Sequence, residues 1–348
     1  MISSDVEAAE LNRVRWRGRG HRRHYEVWYL TLHDASGEAF WLRYTLHLPA
    51  DPSQPGEAGL WAFSFAPDGS GLELRDVYAV DRFRDRSREG GAFQLGLGPA
   101  TLGAEGAAGE VGSGERRIAW ELRFDDARGS FRYLPPGIYG VGLAGSCVST
   151  PRQALRVSGA IEIGGRRVEL RDAHAEQGHV FGHRHADAWT WAQCHAFQGG
   201  VEGAFEGVCA RVRRAGLTIQ GSPLGLRVGG RELAWNGLRT MWSPECTFEL
   251  GRWRFEARQG KQLLRGEVTA PLESFVSVEY ADPDGTRAYC NHSEHASLRL
   301  ERCERRVGAW EVQETLRAER AVAFEVAGRE RDPRVARRLD LADARRLD

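Results

Sequence analysis

The chain has 348 residues, 41% of them hydrophobic, which suits one large all-β domain or two of moderate size. Its 48 basic and 48 acidic residues cancel, so no global field favours nucleic acid or an anionic membrane surface. The first twenty residues contain early acids and no apolar h-region, and no later run approaches the roughly 18 apolar residues of a span; a soluble, cytoplasmic chain without stable membrane insertion is expected.

Residues 1–20 form an N-terminal extension, helical or disordered over about 5–15. Strand periodicity then takes over. The runs "HYEVWYLTL" (24–32) and "AFWLRYTLHL" (39–48) flank a turn with Asp34, Ser36 and Gly37 and predict a hairpin. Further strands are expected at 60–66, 72–80, 92–98, 117–125 and 155–163, with the glycine-rich stretch 99–115 as a flexible loop. Apolar alternation continues in "FEGVCARV" (205–212), "RWRFEAR" (252–258), "QLLRGEVTA" (262–270), "SFVSVEY" (274–280) and "WEVQETLRAERAVAFEV" (310–326), as half-buried antiparallel strands require. The charged end "RRLDLADARRLD" predicts a solvated tail, or else a partner-docking helix.

No repeat of 20 to 50 residues argues for a propeller or solenoid. An all-β chain of this length fits two antiparallel barrels or sandwiches, dividing near "FQGGVEGAFEG": 21–199, then 200–328, with 329–348 as the tail. The six cysteines stand singly, without C-x-x-C, so neither a zinc ribbon nor a disulfide framework is expected. There is no G-x-S-x-G elbow, no phosphate-binding loop and no dinucleotide fingerprint. Cys194 and His195 are adjacent on a strand and point to opposite faces, which excludes them as a thiol hydrolase pair.

The densest chemistry lies in "AHAEQGHVFGHRHADAWTWAQCHAF" (173–197). Together with "RRHYEVWYLTLHD", "AFWLRYTL", "YLPPGIYG" and "SCVSTPRQALRVSGAIEIGGRRVEL", it resembles the tocopherol cyclase and hydroxyneurosporene synthase group over about residues 22–300. The landmarks are Gln177, Gly178 and His179, the Phe181-Gly182 step, and Trp189 with Trp191. Position 181 carries Phe, and position 180 Val, where that pattern has Trp and Asn. The stretch "YADPDGTRAYCNHSEHASLRL" is similar to the group's second-barrel hairpin, with Cys290, Asn291, Ser293 and Glu294 as its landmarks.

The resemblance implies two tandem lipocalin-like antiparallel β-barrels around an apolar substrate. It also implies protonation of a carbon–carbon double bond, with capture of the cation by water or a phenol oxygen and no cofactor. That chemistry needs an acid in a dry pocket, a base for the attacking oxygen and aromatic faces.

Period two puts Trp189, Trp191, Gln193, His195 and Phe197 on one face, suiting the wall of a ligand pocket or ordinary barrel core. Desolvation would keep the proton on Glu176, and His179 or His195 would serve equally in acid–base work, so all three are candidate catalytic residues. Trp28, Arg43, Gln177, Trp189, Trp191, Gln193, Asn291 and Glu294 are candidate substrate contacts, and a diagonal Glu26–Arg43 pair is expected across the first hairpin. The H-x-H pair His183 and His185 follows a glycine in a turn and reads as solvated, so no metal site is assigned. A proton-delivering enzyme and a non-catalytic carrier or sensor of an apolar molecule both fit this pattern.

Overall fold

Alternation decides the architecture, because each strand must bury one or both of its faces. The computed structural model describes residues 4–18, 20–87, 92–125, 127–139 and 144–347. Two curled sheets form tandem lipocalin-like barrels, the first built from strands between His24 and Gly182 and the second from strands that begin at Ala188.

The first barrel is organised by β1 (His24–His33), β2 (Ala39–Leu48), β3 (Glu57–Phe65) and β4 (Glu73–Ala79). The predicted hairpin forms, with Asp34 accepting from the amide of Ser36 in its turn. All ten residues of β1 are buried. Its even positions Trp28, Leu30 and Leu32 enter the first core with Phe40, Leu60 and Trp120. Its odd positions Tyr25, Val27 and Tyr29 face the second sheet in a shared core with Trp41, Trp61, Trp189, Trp191 and Tyr280. A third core, around Phe205, Trp253, Phe255 and Phe324, fills the second barrel.

Register corrects the expected Glu26–Arg43 pair. Glu26 lies opposite Leu46, and Arg43 opposite Tyr29, so the two charges stand on opposite faces of the sheet. Arg43 instead lies over the rings of Trp41, Trp61 and Tyr280, at 4.6, 5.0 and 4.5 Å.

The stretch 99–115 is not a loop. Ala100–Gly103 and Gly106–Ser113 are strands, and glycine is needed at 109 because a Cβ there would press on Ala100 and the Trp120 indole. The change of sheet also falls earlier than residue 200. Ala188–Cys194 pairs with Gly203–Arg214 and Ala309–Gly328, both in the second sheet. The glycines that suggested a division at 200 turn the chain within that sheet, Gly199 and Gly200 both having positive φ. One disulfide, Cys209–Cys246, occurs among the described residues. Among them, too, no helix is long and apolar enough to cross a membrane.

The helix α1 (Ser4–Asn12) docks on the first barrel. A helix leaves its last carbonyls without intrahelical donors. Here the Leu11 carbonyl accepts from His179 Nδ1 at 2.6 Å and the Asn12 carbonyl from Trp28 Nε1 at 2.9 Å. Asn12 Nδ2 donates to Gln177 Oε1 at 3.0 Å.

The C-terminal segment is bound rather than solvated. Arg337–Leu339 runs parallel to Val276–Ala281 of the second sheet, and Arg345–Leu347 runs parallel to β4 of the first. Among the described residues, these short pairs are the parallel exceptions in otherwise antiparallel sheets. Asp76, buried on β4, accepts both a bond from Arg345 Nε at 2.9 Å and one from the Gly112 amide at 3.2 Å. Arg345→Ala strands that carboxylate; because the guanidinium is partly solvent-screened, the expected loss is about 1–2 kcal/mol. A urea midpoint unchanged from the parent would show that the C-terminal strand adds nothing to the first barrel.

Candidate active site at the seam between the barrels

The Gln-Gly-His landmark is explained by register. Residues 177 and 179 lie opposite Leu30 and Trp28 and point into the first barrel, whereas 176 and 178 lie opposite Thr31 and Tyr29 and face the seam. Gly178 is needed there because a Cβ would stand inside the Tyr29 ring.

Glu176 meets Glu206, a residue of Gly203–Arg214 opposite Gln193. Both are fully buried. Thr150 Oγ1 lies 3.2 Å from Glu176 Oε1 and 3.1 Å from Glu206 Oε2. Glu206 also accepts from the Tyr133 hydroxyl at 2.6 Å and from Gln153 Nε2 at 2.8 Å. Burial raises both carboxyl groups, and the negative charge of Glu206 raises Glu176 further, well above the ordinary value. The donors around Glu206 favour its ionised form, so the proton that the pair retains resides on Glu176.

His195 Nδ1 lies 3.6 Å from Glu176 Oε2. Burial, and then the neighbouring His33 and His174, hold His195 well below the usual imidazole range, so it is neutral. Glu176 Oε2, both ring nitrogens of His195 and Gln193 Oε1 are buried without a hydrogen-bond partner. Buried polar groups without a partner are uncommon in folded chains, and four of this chain's unpartnered atoms lie on these three residues.

Further acid–base groups continue along the seam. His33 Nε2 lies 3.1 Å from Glu294 Oε2, His292 bridges Glu294 at 2.8 Å and Glu325 at 3.1 Å, and Trp189 Nε1 reaches Glu325 at 3.2 Å. Trp41 stacks on His292 with centroids 3.8 Å apart. Trp191 donates to the Tyr133 hydroxyl at 2.9 Å and meets Tyr29 edge-on at 5.8 Å.

The seam thus gathers Glu176, His195, Trp189, Trp191, Gln193, Glu294 and Arg43. It does not gather His179, Gln177 and Trp28, which face the first barrel and dock α1. His179 Nε2 contacts Glu26 at 3.0 Å, and Glu26 also accepts the amides of Arg15 and Trp16 and a bond from His24. Burial opposes ionisation of Glu26, but the histidine hydrogen bonds prevail and bring it to about 2. Asn291 turns away as well, donating to the Val326 carbonyl at 3.0 Å on the second-barrel side. Phe197 lies beyond the strand, which ends at Cys194, and packs in the second core. His185 is not solvated: it bonds Asp282 at 2.7 Å and stacks on Tyr25 at 4.4 Å.

Glu206, Tyr133, Thr150, Gln153, His292 and Glu325 join the seam without having been expected from the sequence. The available signal was an acid at 206 on the same alternating face as Val208 and Ala210, opposite the Trp-x-Trp strand.

A cleft of about 340 Å³ nearby is lined by Phe131, Arg132, Gln153, Arg227 and Asn236, among others. Gln153 is at once part of its wall and a donor to Glu206. Phe131 packs edge-on against Tyr133 at 5.0 Å.

Comparisons with known proteins agree with this architecture. The profile of a family described as tocopherol cyclase-like matches residues 153–328. An uncharacterized protein of Mycobacterium tuberculosis is 27% identical over 307 residues, covering 86% of each chain. Among solved structures, CghA with Sch210972 superposes with a TM-score of 0.58 at 12% identity, covering 88% of both chains. A putative AttH of Nitrosomonas europaea gives 0.55 at 13% identity, over 88% of this chain and 93% of that one. Kievitone hydratase from Nectria haematococca gives 0.51 at 10% identity, over 87% and 88%. At these identities the structural likeness is one of fold.

The protonated state of Glu176 has a measurable signature. Its carboxyl binds a proton more tightly folded than unfolded, so the folded chain loses stability as pH rises above the ordinary value of 4.5. Glu176→Gln has no such proton to hold, and its stability relative to the parent is expected to rise by up to about 1.4 kcal/mol per pH unit. Urea unfolding at pH 5, 6.5 and 8 reads this directly; a gap that stays constant would place the proton elsewhere.

Proposed function

The chain belongs to the tocopherol cyclase-like family, and from that premise we propose that it is an acid-catalysed hydratase, cyclase or isomerase acting on an apolar isoprenoid or polyene at the barrel seam. The observation that carries this reading is Glu176: a buried carboxyl that keeps its proton, with an unpartnered oxygen 3.6 Å from a neutral, unpartnered imidazole.

The proton cycle closes on these residues. Glu176 gives its proton to one carbon of a double bond, leaving a cation on the other. The faces of Trp191 and Tyr29 stabilise it, each by roughly 0.5–2 kcal/mol. Water or a hydroxyl of the substrate attacks the cation, or a neighbouring C–H bond gives up its proton in an isomerisation. His195 takes the proton released and returns it to Glu176. Glu206 stays ionised throughout, held by Tyr133, Thr150 and Gln153, and its charge keeps Glu176 basic enough to be recharged. No group beyond the chain, the substrate and water enters this cycle. His179 has no part in it, which separates this reading from one centred on the first barrel.

Incubation with a lipid extract in heavy water, followed by mass spectrometry, tests the proposal. A product with non-exchangeable deuterium is expected, and Glu176→Gln and His195→Ala should each lower its formation by about 10²–10⁴-fold while bound substrate is retained. A lipid held without label or change would make the protein a carrier instead. Full turnover in Glu176→Gln would remove the acid from this scheme.

A further inference from the structure

A second cleft, of about 640 Å³, opens at the mouth of the first barrel between the chain that follows α1 and the strand end at Phe181. Its walls include Arg13, Arg15, Arg17 and Arg23 together with His21, His24 and His183, and among the described residues they contain no carboxylate. The nearby acids are already engaged. Glu10 serves Arg13 at 3.8 Å and Arg15 at 3.2 Å, and Glu26 serves His24, His179 and two backbone amides. Among the described residues, neither Arg17 nor Arg23 has a carboxylate within ion-pair distance.

Several hydrogen-bonding groups of this cleft are available as donors. His21 Nδ1 accepts the Arg17 amide at 3.2 Å, which leaves its other nitrogen to donate. Trp16 Nε1 and Arg15 Nε are buried without a partner. Arg23 is held with φ at +56°, a left-handed backbone that a side chain other than glycine rarely adopts and that recurs at ligand clamps. The positive field is felt locally. Burial lowers His21, helped by His24 and Arg17, and burial followed by Arg23 lowers His183. Beside the cations lie the apolar surfaces of Trp16, Tyr139 and Phe181, with the Arg15 guanidinium 5.4 Å above the Phe181 ring.

We propose that this cleft is a binding site for an amphipathic organic anion, an acceptor-only carboxylate or phosphate head held by Arg17 and Arg23 with its apolar body against Trp16 and Phe181. The head matches a wall of donors and unpaired guanidinium groups, and the size suits a small organic ligand. The proposal is independent of the chemistry at Glu176, since no residue of the seam lines this cleft.

The test uses the full chain and four probes: dodecanoate, dodecyl phosphate, dodecyltrimethylammonium and inorganic phosphate, followed by calorimetry. At least one anionic amphiphile should bind ten or more times tighter than the cationic one, and the preferred head distinguishes carboxylate from phosphate. Both arginines are exposed, so Arg17→Gln/Arg23→Gln is expected to fold, checked by its thermal midpoint, and to lose at least tenfold in affinity for that anion. Glu176→Gln should bind it as the parent does, whatever its turnover. Displacement of the anion by inorganic phosphate would support the head-group contact. Equal binding of the cationic probe, undiminished binding in the double variant, or no binding of either anionic amphiphile would overturn the proposal.

Discussion

The strand His24–His33 has no solvent face. A strand with one wet side can slide by a register of two and still bury its apolar residues, but a strand buried on both sides must satisfy two cores at once. Its even residues complete the first barrel and its odd residues form half of the seam, so the alternation of "HYEVWYLTLH" fixes where the second sheet docks. The neighbouring strand inherits the same division. On it, one residue step separates Gln177 and His179, which secure a helix, from Glu176, which faces the opposite sheet.

That step also shows what was legible beforehand. The β class, the first hairpin and the face of the Trp-x-Trp strand follow from period two. An unusual concentration of polar residues around 176–195 was legible too, as was the burial that raises the Glu176 carboxyl. Parity alone puts Glu176 and His179 on opposite faces, but which face meets which core depends on strands far away in the chain. Glu206, Tyr133 and Thr150 lay beyond reach for the same reason: their meeting with Glu176 is set by sheet docking, which no local pattern encodes. The glycines misled in both directions. Those at 109 and 178 admit close-packed rings, while those at 199 and 200 turn the chain; composition does not tell these uses apart.

The seam is costly to assemble. A buried polar atom without a partner costs about 1–3 kcal/mol, and several such atoms surround Glu176 and His195. The aromatic packing of Tyr29, Trp41, Trp189 and Trp191 across both sheets works against that cost. On the proposed mechanism, stability and reactivity would be supplied by the same surface: the rings that hold the barrels together are also those that would face a developing cation.

The C-terminal strand adds a constraint in time. Arg345–Leu347 forms the edge beside β4, and its ion pair with Asp76 spans 269 positions of sequence. During synthesis from the N-terminus, the first barrel therefore emerges with an open sheet edge and a buried-side aspartate awaiting its cation, and it stays so until the second barrel has also been made. Its maturation is tied to the progress of the ribosome, and a chaperone that shields exposed β-edges would find its client in this half-finished chain.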